Sequence, residues 1–111
     1  MRTPNIELLW WEGCPSSERA HAELSAVLQD LGLGGVPVRS REIRTDDDAD
    51  AEGFRGSPTI LIDGLDVVPT DDPIGLSCRV YRRHDGRISP TPDPEDVRAA
   101  LRRAANLEVA R

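Results

Sequence analysis

Apolar and polar positions divide this chain into short alternating elements. Ile6-Glu7-Leu8-Leu9 opens it as an apolar strand. Ala20, Leu24, Val27, Leu28 and Leu31 then recur at the spacing of one helix face. That spacing predicts a helix from Pro15 to about Leu31, stopped by Gly32-Leu33-Gly34-Gly35. Its outer face carries Glu18, Arg19, Glu23 and Asp30, and His21 at the edge reads as a solvated residue rather than a catalytic base. Val36 to Ile43 follows as a second strand despite Pro37 and its arginines. Thr45 and the acidic run Asp46, Asp47, Asp48 supply the cap and first turn of a short helix ending near Phe54.

Thr59-Ile60-Leu61-Ile62 is an unbroken apolar run closed by Asp63-Gly64, the pattern of a buried central strand ending in a turn. Leu65 to Ser77 holds Pro69, Pro73, Gly75 and the polar Thr70-Asp71-Asp72, and reads as a loop long enough to carry function. Cys78-Arg79-Val80-Tyr81-Arg82 alternates polar and bulky residues as an edge-side strand, and His84-Asp85-Gly86 turns the chain. Asp93 as cap and Pro94 at the first position open a final helix with the face Val97, Ala100, Leu101 and Ala104, and its last residues are expected to fray. The order β-α-β-α-β-β-α, opening on a βαβ unit, predicts an α/β fold. Its sheet is four-stranded and mixed, with helices on both faces, in a single domain over residues 1–111.

Composition narrows the function classes. A net charge of −6 argues against nonspecific nucleic-acid binding. No apolar run approaches the roughly 20 residues of a membrane span, and Met1 to Asn5 carries no signal-peptide pattern. The expectation is a cytoplasmic protein that acts on neither nucleic acid nor membrane. All 14 basic residues are arginine, which reads as coding bias before function. Asp46, Asp47, Asp48 and Asp50 lack the later glycine and glutamate of a calcium loop and read as a solvated helix start. No metal site and no cofactor are expected.

The chemistry lies at Cys14. It sits at a strand-to-helix junction, where first-turn amides without internal partners favour thiolate over thiol and make the sulfur a nucleophile. The chain resembles thioredoxin-like proteins in Trp11-Glu12-Gly13-Cys14-Pro15 at the first junction and Gly56-Ser57-Pro58-Thr59 at the start of the third strand. The order of elements from Ile6 to about Ala105 matches as well. The resemblance implies a cis Ser57–Pro58 bond beside Cys14. The backbone N–H and C=O of Ser57 would then be free to dock an extended peptide or a glutathione-like chain. It also implies that Trp11 flanks the cysteine as an apolar platform while Trp10 packs into the core, with Pro15 and Pro58 shaping the groove.

The departure from that family is Ser17, which stands where a second cysteine belongs. A Cys-x-x-Ser site forms a mixed disulfide but lacks the adjacent thiol that releases the product. Ser17 is expected to offer its hydroxyl to the thiolate instead. The resulting reading is a thiol–disulfide oxidoreductase or thiol-transfer protein, with Cys14 as nucleophile and a protein thiol or low-molecular-weight thiol as partner. Cys78 is the other candidate thiol. A fourth strand starting there would begin at the end of the sheet away from Cys14, about 15 Å off, which leaves Cys78 either a small buried residue or, if the long loop folds back, a partner. Arg55 is either an electropositive partner of the thiolate or a solvated side chain. Arg79, Arg82, Arg83 and Arg87 form either a basic patch for an acidic partner or an exposed strand face. Two readings of other classes remain: a noncatalytic binding module, and a dithiol of Cys14 and Cys78 handling a soft metal or an organomercurial.

Overall fold

A computed structural model describes residues 3–106. Strand β1 (Ile6–Trp10), helix α1 (Ser17–Asp30), strand β2 (Val38–Glu42) and helix α2 (Asp46–Glu52) follow one another. After them come β3 (Thr59–Ile62), β4 (Leu65–Asp66), β5 (Tyr81–Arg82), β6 (Ile88–Ser89) and helix α3 (Pro94–Ala104). The expected fraying of the last residues falls largely outside the described residues.

Strands β2-β1-β3-β4 make a four-stranded mixed sheet, with β1 parallel to β2 and antiparallel to β3. Period-2 alternation along β1 sends Ile6 and Leu8 to one face and Leu9 to the other. Ile6, Leu8, Ile60 and Ile62 meet Ala20, Leu24, Val27 and Leu28 of α1 and Val97 and Leu101 of α3. The opposite face holds the smaller cluster of Leu9, Ile43, Ala49 and Phe54 under α2. Three helices therefore cover both faces of the sheet.

The caps of the two later helices form as their residues require. Asp48 N–H donates to Thr45 Oγ1 at 3.0 Å, and Glu95 N–H donates to Asp93 Oδ1 at 2.9 Å. Helix α1 begins later than expected. Pro15 lies outside it, Ser16 is its N-cap, and Cys14 N–H instead closes a turn onto Trp11 C=O at 3.0 Å.

The fourth strand is the main correction. It is Leu65–Asp66, not Cys78–Arg82. Asp63 (φ 53°) and Gly64 (φ 81°) both take left-handed backbone, which makes a two-residue hairpin and returns the chain at once beside β3. Tyr81–Arg82 pairs with Ile88–Ser89 in a separate two-stranded ribbon. The arginine at position 79, expected either in a basic patch or on an exposed strand face, faces inward. Arg79 and Tyr81 are buried, whereas Val80 is 65% exposed.

Candidate functional site

Because β4 is the returning strand, the loop after it emerges at the end of the sheet where Cys14 sits. Residues beyond Val67 cross that end, and Ser77-Cys78-Arg79 lies down beside Ser57 as an isolated parallel bridge between Ser57 and Cys78. Ser57 N–H donates to Ser77 C=O at 2.7 Å, and Arg79 N–H donates to Ser57 C=O at 2.9 Å. The Ser57–Pro58 peptide is cis. Ser57 Oγ accepts from Trp11 N–H at 3.0 Å, which ties this turn to the end of β1. The edge of Ser57 expected to be free for a substrate is thus occupied by the chain itself.

The two cysteines are neighbours, contrary to the separation expected from the simple topology. Cys14 is buried and Cys78 is exposed, both as free thiols, and their side chains are hydrogen-bonded. Cys14 Sγ also donates to Ser57 C=O at 3.4 Å and lies 3.9 Å from Ser16 Oγ. The hydroxyl beside the sulfur is therefore that of Ser16, while Ser17 opens α1. First-turn amides of α1 are not among the sulfur's hydrogen-bond partners.

The hydrogen bond with Cys14 pushes the Cys78 thiol up from its ordinary 9.0 to about 11, with partial desolvation and the charge of Cys14 adding to it. A rise of this size cuts the thiolate fraction about a hundredfold, and the greater nucleophilicity of a more basic thiolate recovers about tenfold of it. Cys78 in the reduced protein is therefore expected to react with iodoacetamide at pH 8 about tenfold more slowly than an unperturbed cysteine. Cys14→Ala should restore the ordinary rate at Cys78. An alkylation rate that Cys14→Ala leaves unchanged would show that the pair does not hold the proton.

Arg79 anchors this crossing segment and is not part of a solvated patch. It is 4% exposed, and its guanidinium donates to Asp66 Oδ2 at 2.6 Å and to Val68 C=O at 2.6 Å. It also stacks 4.4 Å above the centroid of the Tyr81 ring. Tyr81 Oη donates to Pro58 C=O at 2.5 Å, and its burial drives the phenol strongly upward in pKa. Arg79 thus closes the loop onto its own start at Asp66 and Val68. Farther along, Gly75 N–H donates to Phe54 C=O at 2.9 Å, and Arg55 donates to Asp72 C=O. Arg55 therefore holds the loop and is not a partner of the thiolate.

Trp10 and Trp11 are both half-buried, and Trp11 rather than Trp10 packs against the cluster of Leu9, Ile43, Ala49 and Phe54. The Trp11 ring lies over the backbone of Gly13, where an added Cβ would come within 2.4 Å of it. Glycine is what allows the indole to sit against the turn leading to Cys14. Pro15 is exposed at the mouth of the site, and Pro58 is buried beneath it. Arg82 and Arg87 are exposed and Arg83 is half-buried, pointing to Thr91 and Glu23. A cavity of about 670 Å3 between β4 and α3 is lined by none of the expected site residues.

Ser16, Asp66, Ser77 and Tyr81 escape sequence reasoning. A two-residue Asp-Gly turn after an apolar strand was the available signal, since it fixes the hairpin that brings the loop to Cys14. Among the described residues no group of three or more His, Cys, Asp or Glu is placed to hold a metal ion, and no helix is long and apolar enough to cross a membrane. Compared with family models, curated proteins and solved structures, the chain finds no match.

Proposed function

We propose that this chain is a thioredoxin-like thiol–disulfide redox protein in which Cys14 is the nucleophile and Cys78 the resolving thiol. The thioredoxin-like assignment rests on the strand order β2-β1-β3-β4, on α1 and α3 sharing one face, and on Ser57–Pro58 facing the cysteine that precedes α1. The observation that carries the redox reading is the docking of Ser77-Cys78-Arg79 on Ser57, which sets an exposed thiol against the buried one. The missing cysteine at position 17 is then supplied from the long loop. This favours internal resolution over the monothiol route with an outside thiol.

The chemistry balances as two exchanges. Cys14 thiolate attacks one sulfur of a disulfide, the S–S bond breaks, and the first product leaves as a thiolate. The Cys78 thiolate then attacks Cys14 Sγ in the mixed disulfide and expels the second thiolate. The substrate is reduced by two electrons and the protein is left with a Cys14–Cys78 disulfide. Once Cys14 is tied up in the mixed disulfide it no longer holds the Cys78 thiol up, and Cys78 gives its proton to solvent as it attacks.

Equilibration in glutathione redox buffers, followed by acid quench, alkylation and intact mass, tests the reading. The expected oxidised species lacks two hydrogens, escapes alkylation at both thiols and disappears in Cys14→Ser. Cys78→Ser should instead accumulate a glutathione adduct on Cys14. An oxidised wild-type protein made only of glutathione adducts would overturn the internal pair.

A further inference from the structure

Two free thiols in hydrogen-bond contact, one exposed and one buried, are also a pair of metal ligands. Backbone pairing builds the contact. Cys78 lies opposite Ser57, whose carbonyl accepts from Cys14 Sγ at 3.4 Å. Arg79 fixes the chain just beyond Cys78, because its guanidinium is held by Asp66 and Val68. The donor set decides which ion such a pair can take. Zinc needs four protein ligands in a structural site and three in a catalytic one. Iron–sulfur clusters need four cysteines, or two cysteines and two histidines. Among the described residues no group of three or more His, Cys, Asp or Glu is placed to meet either demand. Calcium and magnesium take oxygen ligands, and two sulfurs do not suit them. Cu(I) is the ion that remains. It is soft, thiolates select it, and two thiolates in line satisfy its coordination.

We propose that the reduced Cys14–Cys78 pair is a two-coordinate site for Cu(I), a role separate from disulfide exchange. Both S–H bonds break on binding, two protons go to solvent, and two Cu–S bonds form with no change of oxidation state. The ion takes the place of the proton between the sulfurs, so the buried Cys14 needs no cavity beside it. Thiolate–metal bonds of about 2.3 Å set an in-line ion between sulfurs about 4.6 Å apart. Cys78, exposed to solvent, can turn to reach that separation. Its exposure also gives the entry route. A thiol-bound Cu(I) meets Cys78 first, and Cys14 then displaces the donor's last thiolate. The Ser57 carbonyl loses the proton of Cys14 and gains a neighbouring cation in exchange. A Cys14–Cys78 disulfide consumes both ligands, so binding belongs to the reduced protein alone.

Anaerobic titration of the reduced protein with Cu(I), against the coloured Cu(I) chelator bathocuproine disulfonate, tests the site. The wild type should take one Cu(I) per chain, with native mass showing one copper gained and two hydrogens lost. X-ray absorption of that complex should show two sulfur neighbours around the copper. Cys14→Ser and Cys78→Ser should each weaken binding at least about hundredfold, the loss expected when a two-point attachment becomes one-point. Cys78→Ser alters an exposed side chain, so it reads the site even if Cys14→Ser folds poorly. Zn(II) at the same concentration should leave the native mass unchanged. Copper binding that Cys78→Ser keeps within about threefold, or one copper shared between two chains, would overturn the site and leave the disulfide pair standing. Zn(II) held as firmly as Cu(I) would overturn the two-coordinate assignment. A protein that binds Cu(I) as expected but forms no Cys14–Cys78 disulfide in glutathione buffers would keep the copper site and lose the redox reading.

Discussion

Arg79→Ala is expected to lower the unfolding free energy by about 3–5 kcal/mol, the usual cost of removing one partner from a buried ion pair. The Arg79 side chain is 3% exposed and that of Asp66 is 20% exposed. Truncation leaves Asp66 Oδ2 and the Val68 carbonyl without their donor, with only Val68 N–H still on Asp66 Oδ1, and opens a space over Tyr81. The loop is held elsewhere by Gly75 on Phe54 and Arg55 on Asp72, so the loss falls on the segment that carries Cys78. Arg87→Ala is the control. Its pair with Asp85 is 84% and 49% exposed, and such pairs contribute about 0–1 kcal/mol. Urea unfolding of both variants measures the contrast, and an Arg79→Ala loss no larger than that of Arg87→Ala would remove Arg79 as the anchor.

Gly56→Ala should cost about 2–5 kcal/mol, combining backbone strain with overpacking. Gly56 has φ +122°, a region that residues with a Cβ rarely adopt. The added carbon would fall 2.6 Å from Arg79 Cγ, 3.1 Å from Ser77 Oγ and 3.3 Å from Arg79 N. Arg79 Cγ cannot swing aside, because the guanidinium beyond it is held by Asp66, Val68 and Tyr81. The methyl would therefore push Ser77 to Arg79 away from Ser57 and carry Cys78 off Cys14. In an Arg79→Ala background the closest clash disappears, and the added cost of Gly56→Ala should fall toward the strain of about 1–3 kcal/mol, with the contacts to Ser77 Oγ and the residue-79 amide remaining. The double-mutant cycle reads this coupling directly. Strict additivity of the two substitutions would mean that the glycine does not serve the docking of this segment.

Both predictions concern residues whose roles depend on contacts far apart in sequence. Most of the main elements were legible locally. Apolar spacing located β1, α1, β3 and α3, and the capping residues Thr45 and Asp93 marked two helix starts, because helix faces and caps depend on neighbours within about four residues. The sheet as four-stranded and mixed also followed from the order of elements. Its last strand did not. Alternation in Cys78–Arg82 looked like a sheet strand, but the two-residue turn at Asp63-Gly64 had already supplied the partner for β3. Arg79 was expected on an exposed strand face, but it lies inward with Tyr81 because Asp66 and Val68 satisfy its guanidinium.

The site divides in the same way. Cys14 before a helix and the Ser57–Pro58 turn at the head of β3 could be read from order and motif, and so could the absence of a second cysteine at Ser17. The sequence by itself determined these local positions and the thiol chemistry they permit. Only the tertiary structure decided that Cys78 lies against Cys14, that Arg79 is buried, and that the backbone edge of Ser57 is already filled. The physical reason is the path of the loop after β4. Its destination is set by a buried ion pair and two backbone hydrogen bonds between residues 13 to 22 positions apart, and no local pattern encodes which distant group will satisfy an arginine or a carbonyl.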